Sequence, residues 1–255
     1  MVDYISLTKF IYISARITGC ILLNPILGRR NLPGIVRSGM ILVLAVFIYP
    51  VAGAQQVRMP VGVPDFAVHI LVELLLGFFL GMVVQFFLYI PQLAGLLIDT
   101  QMGMTMNQIY DASSQANMSV TGTFLNGMML LLFFAANGHH TMLEIMLTSG
   151  GVVPYGTISI GNQAIDAMLM VFIECTVLAV KLSMPILAAE LVGQLGMGIL
   201  MKAIPQINVF SINIELKVII GLVLLFLLIA PFGEFMLKAE MEMLDSLRQI
   251  LALSV

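Results

Sequence analysis

The chain has 255 residues, 60% of them hydrophobic and 10% charged, with 11 Lys and Arg against 14 Asp and Glu for a formal net charge of −3. Ordinary soluble domains carry roughly 25% charged residues, and the mean hydropathy here is +1.06, so this composition cannot build a fully water-facing surface. Sparse lysine and arginine exclude a nucleic-acid surface as well, which leaves lipid or other apolar chains as the main solvent.

Crossing a hydrocarbon core of about 30 Å takes about 20 helical residues. Charge-free runs of that order lie at Ser38–Val57, Leu74–Ile98 and Ile145–Ile165. The last contains Gly150, Gly151, Pro154, Gly156 and Gly161 and reads as a turn-rich connection. Apolar blocks between breakers predict six helices: Tyr4–Leu23, Ile35–Ala52, Phe66–Ile90, Phe124–Met146, Ala164–Leu200 in one or two pieces, and Ile207–Ile229. The fold class is therefore all-α, a multi-helix, membrane-associated unit. Lys9 and Arg16 sit within the first helix, and Met1-Val2-Asp3 precedes it in place of a basic cluster, a poor match to a cleaved signal peptide. Arg29, Arg30 and Arg37 flank the first connection and favour a cytoplasmic position for it. Six full crossings would then put both termini outside and Lys202 inside. The tail from Lys238 to Arg248 mixes both signs and sets no opposing bias. Cys20 and Cys175 lie in apolar blocks and carry no disulfide signal.

Glu73, Glu144, Glu174, Lys181, Glu190 and Lys217 fall in or at the ends of the apolar helices, where exposure to lipid is costly. Buried pairing with another helix or subunit, snorkelling to the interface and an ion relay all remain open for them. Glu174 and Lys181 are two turns apart on one face, too far for a direct i,i+4 pair. Gly77 and Gly81 form a GxxxG spacing that admits a neighbouring backbone, and Gly193, Gly196 and Gly198 invite close contact or a bend; simple tolerance in a lipid-facing helix stays open for both groups. The connection from Gln101 to Thr123, QMGMTMNQIYDASSQANMSVTGT, sets Met102, Met104, Met106 and Met118 among small and amide residues. Methionine is unbranched and fills irregular space, while Ser113, Ser114, Gln115 and Asn117 add hydrogen-bonding capacity. A plug in a water-accessible passage and a structured external loop both fit that pattern. His139 and His140 are adjacent, so helical geometry separates them by about 100°. With no CxxC or HExxH arrangement nearby, they read as an interfacial structural pair rather than metal ligands. No nucleophile, Walker or dinucleotide signature is present, and neither catalytic residues nor cofactors are expected.

The second half is more specific. The segment KLSMPILAAELVGQLGMGILMKAIPQINVFSINIELKVIIGL, Lys181–Leu222, has its strongest piece at KAIPQINVF, Lys202–Phe210. Together with QMGMTMNQIYD at Gln101–Asp111 and NGHH at Asn137–His140, it resembles the bacterial FliR family of flagellar export-gate proteins over nearly the whole chain. That resemblance implies a non-enzymatic subunit of the type III export gate in the bacterial cell membrane and flagellar basal body. It implies assembly with FliP-like and FliQ-like subunits, contact with an FlhB-like subunit, and a core extending toward the periplasmic side. Within one domain spanning 1–255, residues 1–163 would form a FliP-like part and 164–255 a FliQ-like helical hairpin and tail. Met102, Met104, Met106, Asp111, Ser113, Ser114, Gln115, Asn117 and Met118 would plug the passage for unfolded flagellar export substrates. Lys202, Pro205, Gln206, Asn208 and Phe210 would form an assembly turn. The chain departs from the family in having Asp111-Ala112 where proline usually follows the aspartate, and Asn213–Lys217 where glycine and proline are usual. Pro205–Phe210 favours the flagellar branch. The residues alone also admit an independent transporter using its midplane charges, or a purely structural scaffold.

Overall fold

The computed structural model describes residues 4–23, 33–52, 57–104, 119–157, 161–203 and 209–254, and helices account for nearly all of them. Among the described residues they follow as α1 (Tyr4–Leu23), α2 (Gly34–Val51), α3 (Val63–Met102), α4 (Val120–Ala135), α5 (Gly138–Val152), α6 (Asn162–Ala203), α7 (Val209–Leu227) and α8 (Ile229–Ala252). The all-α reading holds, and the differences from the six predicted helices have local causes.

Pro91 lacks an amide hydrogen and its ring crowds the carbonyl four residues back, so the sequence reading ends the third helix at Ile90. Instead α3 runs through Pro91 to Met102, and α6 likewise runs through Pro185 in one piece. Long apolar helices tolerate such prolines where neighbouring groups satisfy the freed backbone. The predicted helix Phe124–Met146 is two helices, because Asn137 adopts a left-handed φ of 60° between α4 and α5. Asparagine is among the few residues that visit this region readily. The charged tail is helical too. Along α8 the buried positions Phe232, Met236, Ala239, Met243, Leu247 and Ile250 recur at helical spacing, with Glu234, Lys238, Glu242, Asp245 and Arg248 exposed.

The chain gathers into two compact units. One comprises Met1–Phe87, Asn137–Ile173 and Glu240–Val255, the other Leu88–Ala136 and Glu174–Ala239. In the first, Tyr12, Ile13, Ile17 and Ile21 of α1 form a buried stripe, joined in its core by Leu76, Leu80 and Val83 of α3 and Met142, Ile145 and Met146 of α5. The α1–α3 crossing is close enough that a Cβ on Gly77 would collide with the Arg16 carbonyl, and one on Gly19 with the Leu74 carbonyl. In the second unit the core includes Ala94, Ile98 and Met102 of α3, Leu125, Met129 and Phe133 of α4, Leu182 and Ile186 of α6, and Leu225 of α7.

Four described helices, α1, α2, α3 and α6, are individually long and apolar enough to cross a membrane, and α4 with α5 and α7 with α8 qualify only when each interrupted pair counts as one span. The six uniform crossings of the sequence reading are thus four long helices and two broken pairs. At 1.5 Å per residue, the 40 residues of α3 and the 42 of α6 extend about 60 Å, twice a hydrocarbon core of about 30 Å. Much of each helix therefore needs cover other than the hydrocarbon core.

Candidate functional site at the stem of the methionine-rich segment

The end of α3 is set by hydrogen bonding, not by Pro91. Gly103 takes a left-handed φ of 78°; its amide donates to the Thr100 carbonyl at 3.2 Å and the Met104 amide to the Asp99 carbonyl at 3.0 Å. These are the two bonds of a Schellman motif, for which glycine is the favoured left-handed residue. The chain re-enters helix at Ser119, whose Oγ accepts the Gly122 amide at 2.8 Å, the standard service of a serine N-cap. Residues 105–118 therefore connect a closed helix end to a capped helix start.

One carboxylate joins the two. Asp99 is 0% exposed; its Oδ2 accepts the Ser119 hydroxyl at 2.7 Å and the Thr121 amide at 3.2 Å. Its Oδ1 is buried without a hydrogen-bond partner among the described residues. Nearby, α3 and α4 meet backbone to backbone: a Cβ on Gly95 would strike Gly122 and Thr121. Tyr89, Gln92, Leu96, Ser119, Gly122, Thr123 and Asn126 line a cleft of about 170 Å³ beside this crossing, lined by neutral hydrogen-bonding side chains on otherwise apolar helices. Met102 is fully buried, and its Sδ and Cε would lie 2.6 Å from a Cβ on Gly221 of α7. It is a core side chain seated in a glycine notch, while Met104 is half-buried. Met106, Asp111, Ser113, Ser114, Gln115, Asn117 and Met118 lie outside the described residues.

The buried charges resolve differently from one another. Glu73 is fully buried and pairs with Arg16, Oε2 to Nε, at 2.7 Å, while its Oε1 accepts the Gly156 amide at 2.8 Å. Arg16 also donates to Ser149 Oγ at 3.3 Å and the Val153 carbonyl at 3.1 Å, and its guanidinium lies 4.3 Å from the Tyr155 ring centroid. Every strong acceptor in this cluster is used, and α1, α3 and the α5–α6 connection are tied through it. Burial holds the Tyr155 phenol above its usual range, opposed by the Arg16 charge. Glu190 is buried with neither carboxylate oxygen hydrogen-bonded among the described residues, and half-buried Lys217 supplies the opposing charge. Glu144, Glu174 and Lys181 are exposed on the chain.

Of the other predicted positions, Gly77 and Gly81 are buried, with Gly77 at the tight α1 crossing; Gly193 is in ordinary contact with Ile220, and Gly196 faces open space. Lys202 is exposed at the end of α6 and Phe210 belongs to the first turn of α7. Pro205, Gln206 and Asn208 lie outside the described residues. His139 and His140 do not diverge: their ring centroids are 4.1 Å apart. Even so, no group of three or more ligating side chains occurs among the described residues. Asp99, Ser119, Gly95, Gly122 and Gly221 escape the sequence reading. Serine before a renewed helical pattern and glycine after an apolar run are recognisable stop and start signals, but the Asp99 link is not visible without the fold.

These features define an all-helical, membrane-associated protein whose distinctive chemistry is at helix crossings and a loop stem. Residues 7–243 match the family described as bacterial export proteins, family 1, and the chain belongs to that family, that of the FliR-type export-gate proteins. It is similar to the flagellar biosynthetic protein FliR of Bacillus subtilis, at 26% identity over 96% of this chain and 95% of the relative. It is also similar to the flagellar biosynthetic protein FliR of Escherichia coli, at 29% over 90% and 88%. The Yop proteins translocation protein T of Yersinia pestis matches at 24% over 90% and 89%. As a member of this family the chain has a non-enzymatic role in an export gate.

Proposed function

We propose that the chain is the flagellar-branch subunit of the type III export gate and that its methionine-rich segment closes the passage for unfolded export substrates at rest. The observation that carries this reading is the stem: a Schellman motif and a serine N-cap, joined through a buried carboxylate, hold residues 105–118 at fixed roots. Met104, Met106 and Met118 supply deformable apolar volume against water and ions, and Asp111, Ser113, Ser114, Gln115 and Asn117 shape the polar loop around them. Met102 anchors the segment through its seat against Gly221.

Partners follow from the uncovered surface. Leu195 and Ile199 of α6 and Phe226 of α7 are 71%, 74% and 76% exposed, and α3 and α6, about twice as long as the hydrocarbon core is thick, need protein cover. FliP-like, FliQ-like and FlhB-like subunits are the expected neighbours, with residues 1–163 acting as the FliP-like part and 164–255 as the FliQ-like hairpin. The long helices suit a core that rises from the membrane toward the periplasm in the basal body. Lys202, Pro205, Gln206, Asn208 and Phe210 form the assembly turn, where Pro205 interrupts helix and the amides satisfy backbone groups.

The test replaces Met104, Met106 and Met118 with alanine in the full assembly and measures resting ion leak and export in membranes. Met102 is left intact because its loss would be a packing defect. Leak should rise at undiminished assembly; an assembled variant as tight as the parent refutes the seal.

A further inference from the structure

We propose that Asp99 is the positioning residue of the export passage, fixing the separation of the two roots from which the methionine-rich segment leaves; this rests on the sealing role proposed above. The argument begins with where the carboxylate stands. Asp99 belongs to the last turn of α3, three residues before Met102. There the helix dipole presents its negative end, so an anion is locally unfavourable. Burial makes it more so unless hydrogen bonds compensate. Oδ1 has no hydrogen-bond partner among the described residues, and at Oδ2 the compensation comes from the far side of the segment: both donors, the Ser119 hydroxyl and the Thr121 amide, stand at the start of α4, twenty and twenty-two positions away. A helix N-terminus is the environment that favours an anion. A carboxylate that is misplaced for its own helix and well placed for the next one makes sense as a link between the two.

Capping alone does not account for it. Ser119 already caps α4 through its own Oγ and the Gly122 amide, so Asp99 adds register rather than helix initiation. The glycine pair Gly95 and Gly122 brings the backbones together, which lets the short aspartate side chain span the gap. The Met104 amide bonds the Asp99 carbonyl at 3.0 Å, so one residue terminates α3 through its main chain and locates α4 through its side chain.

The experiment uses the complete assembly in membranes, with subunit recovery, resting ion leak and export measured for Asp99→Ala, Asp99→Asn and Ser119→Ala, beside the three-methionine variant. Asp99→Ala should assemble and leak as the methionine variant does. Asp99→Asn retains an acceptor oxygen of the same reach and should leak clearly less, a rescue that a general loss of folding would not produce. If the methionine variant leaks while fully assembled Asp99→Ala stays tight, the positioning role fails and the seal stands. If neither leaks, the seal fails and takes this inference with it. Should Asp99→Ala not assemble, Ser119→Ala decides: leak at normal assembly supports the link, and tightness overturns it. Asparagine as leaky as alanine overturns the hydrogen-bond assignment.

Discussion

Replacing Arg16 with methionine tests how the first unit is held. The guanidinium and the Glu73 carboxylate approach to 2.7 Å with both side chains at or below 5% exposure. With an effective dielectric of about 20, that separation corresponds to about 6 kcal/mol of attraction, set against the cost of taking both charges out of water. Methionine leaves Glu73 with only the Gly156 amide and strips Ser149 and the Val153 carbonyl of a donor. Loss of one partner from a buried pair costs about 3–5 kcal/mol. Adding Glu73→Leu removes the stranded charge, so the double variant should be less destabilised than Arg16→Met alone, although the unpaired Val153 carbonyl and Gly156 amide keep it about 2 kcal/mol below the parent. Denaturant titration of the detergent-solubilised assembly, followed by retention of the complex, gives the cycle. A single variant losing less than about 1 kcal/mol, or a double variant losing the full sum of the singles, would refute this account of the pair.

Gly77→Ala should cost about 1–3 kcal/mol by overpacking, because the obstacle is the Arg16 carbonyl and not a movable side chain. Gly196→Ala meets nothing within 4 Å and should gain about 0.5–1 kcal/mol in helix stability; thermal melts of both variants check the contrast. Gly221→Ala should push against Met102, and Met102→Ala alone should cost about 2–5 kcal/mol through the cavity it leaves. The two together should cost less than their sum, since the new methyl enters the space the sulfur vacates; an additive result in the same melts would count against the notch.

Much of the helical outline was legible because it depends on local chemistry. Tyr4–Leu23 emerges with the same limits in sequence and structure, where Asn24-Pro25 follows the apolar block. Errors arose where a local rule met a tertiary one. Pro91 and Pro185 are breakers in isolation but pass through helices that packing sustains, whereas the actual terminator of α3 was Gly103. Asn137-Gly138 carried a readable turn signal inside a run too apolar to suggest one. The charges of α8 masked a helical period that Phe232, Met236, Met243, Leu247 and Ile250 spell out. Arg16 was visible as an oddity and Glu73 as a buried candidate, yet their pairing spans 57 positions and no periodicity links them. Asp99 was hidden for the same reason: its donors lie beyond the segment whose ends it joins.

That stem divides the chain's freedom to vary. Exchanges between the two roots leave the bonds of the stem itself untouched, since these are made by residues 99–104 and 119–122. The roots have no such latitude: Gly103 needs its left-handed backbone, Gly95 and Gly122 have no room for a side chain, and Asp99 and Ser119 must match in reach. Divergence among export-gate relatives should accordingly accumulate past the family-like Gln101–Asp111 motif, between residues 112 and 118, where the alanine after Asp111 already departs from the usual proline. Chimaeras that exchange only residues 105–118 should then keep their host's scaffold while acquiring the donor's closing segment.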